Sequence, residues 1–319
     1  MLVLDGSRSP YLPTREILAA LSQAVSPEFS PVDLARNLRE RLAMLHGVTV
    51  DRIALFPDDS TRFERLIELA QDRPVSLFSP TDFDRASLAN AAVVEIERSA
   101  RFRIESEQIE AMPPKAIALV MTPNDPTGNA IGVSTAAQLA RRAALLILDE
   151  RSAEMQRRSM VPLVEEFDSI VLMRSFADWA GLAQNALAYA ITTNRIAASI
   201  DRSAELSAGG LNGALAAVSN AQMLDAIAHL VRLERMRLYR MLRKLNFLHP
   251  FPSDGAYVLT NVTRGDRNAI AAALFERGIV VCGPRTPGLE RTLRFSAISP
   301  VATRQLQAAL VDISRTLGD

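Results

Sequence analysis

Short apolar runs that alternate with amphipathic segments are the feature that most limits the fold of this 319-residue chain. Runs such as LLILDE at 145–150 and IVLMR at 170–174 are continuous in Ile, Val and Leu. Such runs are typical of parallel strands that are covered on both faces, and their alternation with helices predicts an α/β fold. The predicted strands are 52–56, 75–79, 92–96, 116–121, 145–150, 170–174 and 187–191, and the predicted helices are 15–25, 32–46, 60–71, 134–143 and 160–166.

The C-terminal part of the chain has a different pattern. A long helical segment is predicted at 213–245, before strands at 256–262, 279–282 and 292–298 and helices at 267–278 and 302–317. We therefore predict a three-layer α/β/α large domain with a mostly parallel central sheet over 26–215. A smaller α+β domain is predicted over 1–25 and 216–319, and it includes the long inter-domain helix.

The composition narrows the classes of partner. Lys plus Arg and Asp plus Glu both total 36, which argues against nucleic acid or an anionic membrane as the main partner. The first residues, MLVLDGSRSPYLP, lack the pattern of a secretory signal, and no apolar run has the length of a membrane span. The single cysteine, Cys282, suits a reducing compartment and is predicted to be a small core thiol. These features predict a cytoplasmic protein.

Four motifs carry a resemblance to a known family. They are TPNDPTG (122–128), LLILDE (145–150), RSFADWAGLA (174–183) and TLRFSAI (292–298). In this order and spacing they resemble the class I/II, fold-type I aminotransferases that use pyridoxal phosphate. The chain is most similar to the branch that contains histidinol-phosphate aminotransferase and threonine-phosphate decarboxylase. The resemblance covers nearly the whole chain and implies a fold-type I architecture and a homodimer.

Several positions keep the residue type of the resembled family, among them Asp149, Arg294, Ser175, Gly181 and Tyr189. The resemblance implies that Asp149 pairs with the pyridine nitrogen of the cofactor, that Arg294 grips the substrate carboxylate and that Ser175 contacts the phosphate. Each position also has a structural interpretation. Asp149 can be a strand-end or cap carboxylate, Arg294 can form a structural ion pair, and Ser175 can be a helix N-cap.

The position of the Schiff-base lysine is occupied by Asp178. A carboxylate cannot form an imine, so covalent attachment of the cofactor is excluded at this residue. The chain has only two lysines, Lys115 and Lys244. Neither is predicted to lie at the end of the sheet where Asp178 lies, so neither is expected to replace the missing amine.

The resembled phosphate site is also altered. Ala186 stands where the family has a phosphate-binding arginine, and Asp58 and Asp59 follow Pro57 where the family has a glycine-rich loop. Glycine backbone N–H groups bind phosphate well, whereas proline has no N–H and two aspartates add negative charge.

Further departures surround the resembled cofactor ring. Asp125 replaces the asparagine that donates to the phenolic oxygen, Ser152 replaces a tyrosine, and Asp82 replaces the aromatic residue that stacks on the ring. Phe83 is adjacent to Asp82 and could take its place. The side chains predicted to be able to fill part of the pocket are Phe56, Phe83 and Trp179.

These losses predict weak or absent binding of pyridoxal phosphate. The first functional hypothesis is therefore a pseudoenzyme, a binding or scaffolding homodimer that is a candidate partner of an active paralogue. A second hypothesis is a repurposed enzyme without cofactor, in which Asp178, Asp149 and Asp125 act as acid–base groups on an amine or amino-acid-like substrate. A divalent metal on those aspartates is a minor alternative. An atypical, active aminotransferase is the last.

Overall fold

The computed structural model describes residues 1–5, 13–22, 30–57, 63–69, 73–83, 85–156, 159–182 and 187–316. The strands in these ranges are β1 (Leu2–Val3), β2 (Ile53–Pro57), β3 (Val75–Ser79), β4 (Val93–Glu97), β5 (Ile117–Met121), β6 (Leu145–Asp149), β7 (Ile170–Ser175), β8 (Leu187–Ile191), β9 (Leu248–Pro250), β10 (Tyr257–Val262), β11 (Ile279–Val280) and β12 (Thr292–Ser296). The α-helices are α1 (Arg15–Ser22), α2 (Pro31–His46), α3 (Glu64–Leu69), α4 (Ser106–Ala111), α5 (Val133–Arg142), α6 (Leu163–Glu166), α7 (Phe176–Trp179), α8 (Asn194–Ile200), α9 (Ala208–Ser219), α10 (Ala221–Leu242), α11 (Arg267–Glu276) and α12 (Pro300–Thr316).

A seven-stranded sheet forms the centre of the described part of the chain, in the order β2-β8-β7-β6-β5-β3-β4. Strands β4, β3, β5, β6 and β7 pair in parallel, whereas β8 is antiparallel to both β7 and β2. The prediction of an α/β fold with a mostly parallel sheet is therefore confirmed.

The sheet separates two apolar layers. Leu146 and Leu148 of β6 point into the core that contains residues of α2, α5 and α9. Leu145 and Ile147 of the same strand belong to the core on the opposite face, with residues of α3 and α8. This alternation follows from the two-residue period of a strand, and it explains why the strand is apolar at successive positions.

A further core, distinct from the two on the faces of the central sheet, lies in the C-terminal part of the chain. It is built around the three-stranded antiparallel sheet β12-β10-β9, with α10, α11 and α12 packed on it. The N-terminal strand β1 pairs with β11, and Leu4 is buried in this C-terminal core. Ile17 of α1 is instead buried in the core that contains residues of α2, α5 and α9. The predicted domain boundaries remain predictions.

The long helical segment predicted at 213–245 consists of two helices, α9 and α10, which meet at Asn220 and are bent by 75°. The Asn220 side-chain amide donates to the carbonyl of Ala216 at 2.8 Å, and such local bonds compete with helix continuation. In the described residues no single helix is long and apolar enough to cross a membrane, although α9 and α10 taken together pass the length and composition test.

The prediction that Cys282 is a buried core thiol is wrong. Cys282 is exposed, and its thiol contacts the carbonyl oxygen of Gly283 at 3.3 Å. It lies two residues after the two-residue strand β11, and its backbone forms an isolated antiparallel bridge with Arg294. In the described structure its side chain is left exposed at the end of this short strand.

Candidate functional site

The parallel strands β5, β6 and β7 bring together the three turns that follow them. Thr122 N–H, after β5, donates to the Asp149 carbonyl at 2.9 Å, and Glu150 N–H, after β6, donates to the Met173 carbonyl at 2.8 Å. The turns at 121–128, 148–152 and 174–181 therefore lie at one edge of the sheet, which is where α/β proteins bind ligands.

The buried Asp149 carboxylate and the partly exposed Arg151 guanidinium form an ion pair at this edge. The Asp149 carboxylate is 2% exposed, and Arg151 Nε lies 3.2 Å from Oδ1 and 3.0 Å from Oδ2. Arg151 Nη2 also donates to Oδ2, and Arg151 N–H donates to Oδ1 at 3.3 Å. Arg151 was not predicted as a site residue. The signal in the sequence is an arginine where the resembled Asp-Glu-Ala-Tyr motif has alanine.

Asp178 and Ser152 are joined by a hydrogen bond. Ser152 Oγ donates to Asp178 Oδ2, so two predicted site residues from different turns are brought together. Asp178 lies in the short helix α7 and is partly buried. Ser175 is the N-cap of that helix, because its Oγ accepts from the Ala177 N–H at 2.9 Å. Ser175 therefore acts as a helix N-cap in this structure, which is the structural interpretation given above.

Arg294 is engaged by groups of the chain itself. Its Nη1 lies 2.6 Å from Asp125 Oδ1, and its Nε donates to the Asp5 carbonyl at 2.9 Å. The guanidinium lies 5.1 Å from the centre of the Tyr257 ring. The structural ion-pair interpretation of Arg294 is therefore the one that this structure supports.

Three carboxylates, Asp82, Asp125 and Asp178, form what we call the acid cluster. Asp82 N–H donates to the Asp125 carbonyl at 2.7 Å. Burial raises the pKa of Asp125 to about 6; Arg294 and Arg151 oppose this rise, whereas Asp82 and Asp178 add to it. Asp82 and Asp178 are therefore close enough to Asp125 to raise its pKa.

A buried arginine, Arg98, hydrogen-bonds to the TPNDPTG turn. Arg98 Nη2 donates to Asn124 Oδ1 at 2.9 Å, and Asn124 Nδ2 donates to Thr127 Oγ1 at 2.7 Å. Burial lowers the pKa of Arg98 to about 9. Gly128 has a φ of +78°, and a Cβ there would lie 3.0 Å from the Ser253 Cβ, so the turn requires glycine.

A second buried ion network, not predicted from the sequence, lies beside the site. Arg174 Nη2 lies 2.7 Å from Glu150 Oε2, and Arg174 Nη1 lies 3.4 Å from Glu154 Oε1. Burial raises the pKa of both Glu150 and Glu154. Two carboxyl groups share one guanidinium, so the network has one more carboxyl group than guanidinium groups.

The remaining predicted residues lie apart from these contacts or outside the described residues. Asp58, Asp59 and Ala186 are outside them. Phe56 and Phe83 are buried in one core, where Phe83 packs on Phe63 at 4.6 Å between ring centres. Trp179 is buried in the other core.

Neither lysine of the chain lies at this edge of the sheet. Lys115 precedes β5, at the end of that strand opposite to the turn at 122–128. Lys244 follows α10, and its N–H donates to the Met241 carbonyl at 3.1 Å. This agrees with the expectation that neither amine replaces the one missing at Asp178.

Pyridoxal phosphate does not fit the described residues. Asp149, which would hold the ring nitrogen, already accepts from Arg151, and a carboxylate stands at the lysine position 178. Within the described ranges, no three or more His, Cys, Asp or Glu side chains are arranged to hold a metal ion. The minor metal hypothesis for Asp125, Asp149 and Asp178 therefore has no support in this geometry.

Comparison with known proteins places the chain in a family. The model of "Aminotransferase class I and II" matches residues 14–313. The chain is 28% identical to histidinol-phosphate aminotransferase 1, chloroplastic, of Arabidopsis thaliana, over 96% of this chain and 77% of that protein. It is 26% identical to histidinol-phosphate aminotransferase 2 of Archaeoglobus fulgidus, over 90% of this chain and 85% of that protein.

Solved structures agree on the fold. The histidinol-phosphate aminotransferase of Clostridium acetobutylicum is similar with a TM-score of 0.88 and 16% identity, over 99% of this chain and 100% of that one. The enzyme of Sinorhizobium meliloti in complex with pyridoxal-5'-phosphate gives 0.81 and 22%, over 99% and 92%. The chain has the fold-type I aminotransferase fold and belongs to the aminotransferase class I and II family.

Proposed function

We propose that this protein is a non-transaminating member of its family, a cytoplasmic binding or scaffolding homodimer that does not hold pyridoxal phosphate. The observation that carries the proposal is the ion pair between Arg151 and Asp149, because it occupies both oxygens of the carboxylate that would hold the cofactor ring. The chain's own guanidinium takes the place of the ring's N–H.

Charge at the site supports the same proposal. Asp125 and Asp178 stand where the resembled family has a neutral and a positive residue. Each close contact between like charges costs on the order of 1–4 kcal/mol at surface-like to intermediate dielectric. Micromolar binding is worth roughly 8 kcal/mol, so a few such contacts with a phosphate-bearing ligand offset it.

A transamination assay tests the proposal. The relatives' names point to histidinol phosphate as the amino donor, and an oxo acid with excess pyridoxal phosphate completes the mixture. We expect no product above the rate without protein, with the Archaeoglobus fulgidus relative as the positive control. Turnover by this protein that exceeds the protein-free rate overturns the proposal.

The proposed homodimer has its own test. Sedimentation at equilibrium is expected to give twice the mass of the 34.9 kDa chain. If an active relative is the partner instead, mixing the two proteins is expected to give a heterodimer and no homodimer. A chain that stays monomeric in both experiments contradicts the scaffold.

A second candidate function is acid–base chemistry without a cofactor. It is favoured by the acid cluster, since burial and the neighbouring Asp82 and Asp178 raise the pKa of Asp125 to about 6. A carboxyl group that titrates near neutrality can both accept and donate a proton. Asp149 is not available for this role in the described geometry, because Arg151 holds it. Conversion of an amine or amino acid that is lost in Asp178→Asn would support this candidate.

A further inference from the structure

A cavity of about 590 Å³ is lined by described residues from the end of α2, from 153–156 and Ser159, and from β7, α7, β8 and α10. This volume is within the range of small-molecule sites. The lining residues that matter here are His46, Glu154, Arg174, Trp179, Tyr189 and Arg232. No residue of the acid cluster is among the described residues that line it.

Two buried polar atoms of the cavity wall have no partner among the described residues. They are Glu154 Oε2, an acceptor, and Trp179 Nε1, a donor. Glu154 is 10% exposed at its side chain and Trp179 is 3% exposed. Buried polar atoms are nearly always hydrogen-bonded, so an unmatched acceptor and an unmatched donor at one cavity indicate a ligand with the complementary pair.

The charges around Glu154 indicate which end of such a ligand is positive. Arg174 donates from Nε and Nη2 to Glu150 Oε2, at 3.1 and 2.7 Å. Its bond from Nη1 to Glu154 Oε1 is longer, at 3.4 Å. Two carboxylates therefore share one guanidinium. Arg232 also lines the cavity, and its Nη1 donates to the Glu154 backbone carbonyl at 2.7 Å. When Glu154 is ionised, a positive group near Glu154 Oε2 would balance the side-chain charges of Glu150, Glu154 and Arg174.

The rings of His46 and Tyr189 also line the cavity. His46 Nε2 lies 2.9 Å from the Tyr189 hydroxyl, and the two ring centres are 5.7 Å apart. Burial and then the charge of Arg174 lower the pKa of His46 to about 3, so its ring is neutral. Neutral aromatic faces attract organic cations.

We propose that this cavity binds a small organic amine that carries a hydroxyl or carbonyl group, with the ammonium on Glu154 Oε2 and the acceptor on Trp179 Nε1. The site goes beyond the proposed function, and neither depends on the other. An enzyme or a scaffold of this family could both use it, since the acid cluster is not part of it.

Trp179 is the only tryptophan of the chain, so its fluorescence reports directly on the cavity. The probe is ethanolamine, and the matched controls are ethylene glycol, which has no charge, and propionate, which has the opposite charge. We expect a saturable change in fluorescence with ethanolamine alone. No saturable change, as expected if an ordered water merely fills the cavity, overturns the proposal. A response to propionate but not to ethanolamine also overturns it.

Variants locate the response. Glu154→Gln is expected to weaken ethanolamine at least about tenfold, because an ammonium loses a charged acceptor. Glu68→Gln is the control, since Glu68 is an exposed carboxylate paired with Arg65. If Glu154→Gln does not fold, Trp179→Phe measured by calorimetry replaces it, with weaker binding expected. Unchanged affinity in whichever variant is measured places the amine elsewhere and overturns the assignment.

The pH dependence separates an amine from an anion. Burial raises the pKa of Glu154 to about 7; Arg174 opposes this, and Glu150 and Asp178 add to it. The other titratable or charged groups that line the cavity are His46, Tyr189, Asp225 and Arg232. Below about pH 7 Glu154 is protonated and is a poor acceptor for ammonium. Ethanolamine affinity is therefore expected to fall from pH 8 to pH 5, and an affinity that rises over this range contradicts the proposal.

Discussion

Arg151 donates to both carboxylate oxygens of Asp149, from Nε at 3.2 Å to Oδ1 and 3.0 Å to Oδ2. The two residues are separated by one residue, so the pair forms within one turn after β6. A bidentate pair of this kind fixes the guanidinium in one orientation. The Asp149 carboxylate is thereby neutralised from within the chain.

Removal of Arg151 should destabilise the fold. Arg151→Ala leaves Asp149 buried without its partner, and we expect the free energy of unfolding to fall by about 1–3 kcal/mol. This is below the value for a fully buried pair, because the Arg151 side chain is 35% exposed. Urea denaturation measures the change. Arg36→Ala, which removes an exposed pair with Asp33, is the control and should cost about 0.5 kcal/mol or less.

Coupling between Asp125 and Arg294 can be measured by a double-mutant cycle. Their charged atoms are 2.6 Å apart, and the Arg294 side chain is 12% exposed. We expect Asp125→Asn and Arg294→Met to be non-additive by about 1–3 kcal/mol in urea denaturation. Additive effects would mean that Arg294 is held by Asp5 and Tyr257 alone. Arg315→Met combined with Asp312→Asn, an exposed pair, provides a cycle with little coupling.

Glu154 should make stability depend on pH. Its pKa is raised from 4.5 to about 7 in the folded protein, so the folded state holds a proton that the unfolded state has released between these values. The free energy of unfolding of the wild type is therefore expected to decrease as pH rises from about 5 to 8. Glu154→Gln mimics the protonated form. We expect its stability relative to wild type to increase by on the order of 2 kcal/mol over this range. A difference that stays constant with pH contradicts the raised pKa.

Gly128→Ala tests the turn that carries Asn124 and Asp125. The residue has a φ of +78°, and an added Cβ would collide with Ser253 Oγ and lie 3.4 Å from Tyr257 Cε2. We expect a loss of about 2–4 kcal/mol, from backbone strain and from the collision. Gly47→Ala has a similar φ of +68° with no atom within 4 Å, so strain alone should cost about 1 kcal/mol there. Addition of Ser253→Ala should recover part of the loss only at Gly128.

The strands of the central sheet and most helices were predictable because their patterns are local, whereas β1, β9, α4 and α8 were not predicted. The predicted strands at 75–79 and 187–191 match β3 and β8 to the residue; Pro74 and Pro80 bound the first, and Thr192 follows the second. The break between α9 and α10 was not predicted. It occurs at Asn220 without a glycine or proline, and only the folded backbone shows that its side chain bonds the Ala216 carbonyl.

The motifs singled out residues of this edge, but not how they pair. Asp149 and Asp178 lie at the ends of neighbouring strands of the central sheet, and Arg294, in β12 of the three-stranded sheet, contacts Asp125 there. The partners Arg151, Ser152 and Asp125 depend on side-chain directions in turns, which residue spacing does not determine. Arg174 and Glu154 were missed for a similar reason, because strand and turn residues far apart in sequence meet only after folding.

Titration of the purified protein with pyridoxal phosphate, followed by calorimetry and absorbance, measures whether the wild type holds the cofactor. We expect no saturable heat and no absorbance shift for the wild type. A variant with Asp178→Lys and Ala186→Arg, which restores an amine and a phosphate-binding arginine, is expected to gain binding if the loop at 56–59 permits it. Stoichiometric binding of pyridoxal phosphate by the wild type at micromolar concentration would contradict the proposal that this protein does not hold the cofactor.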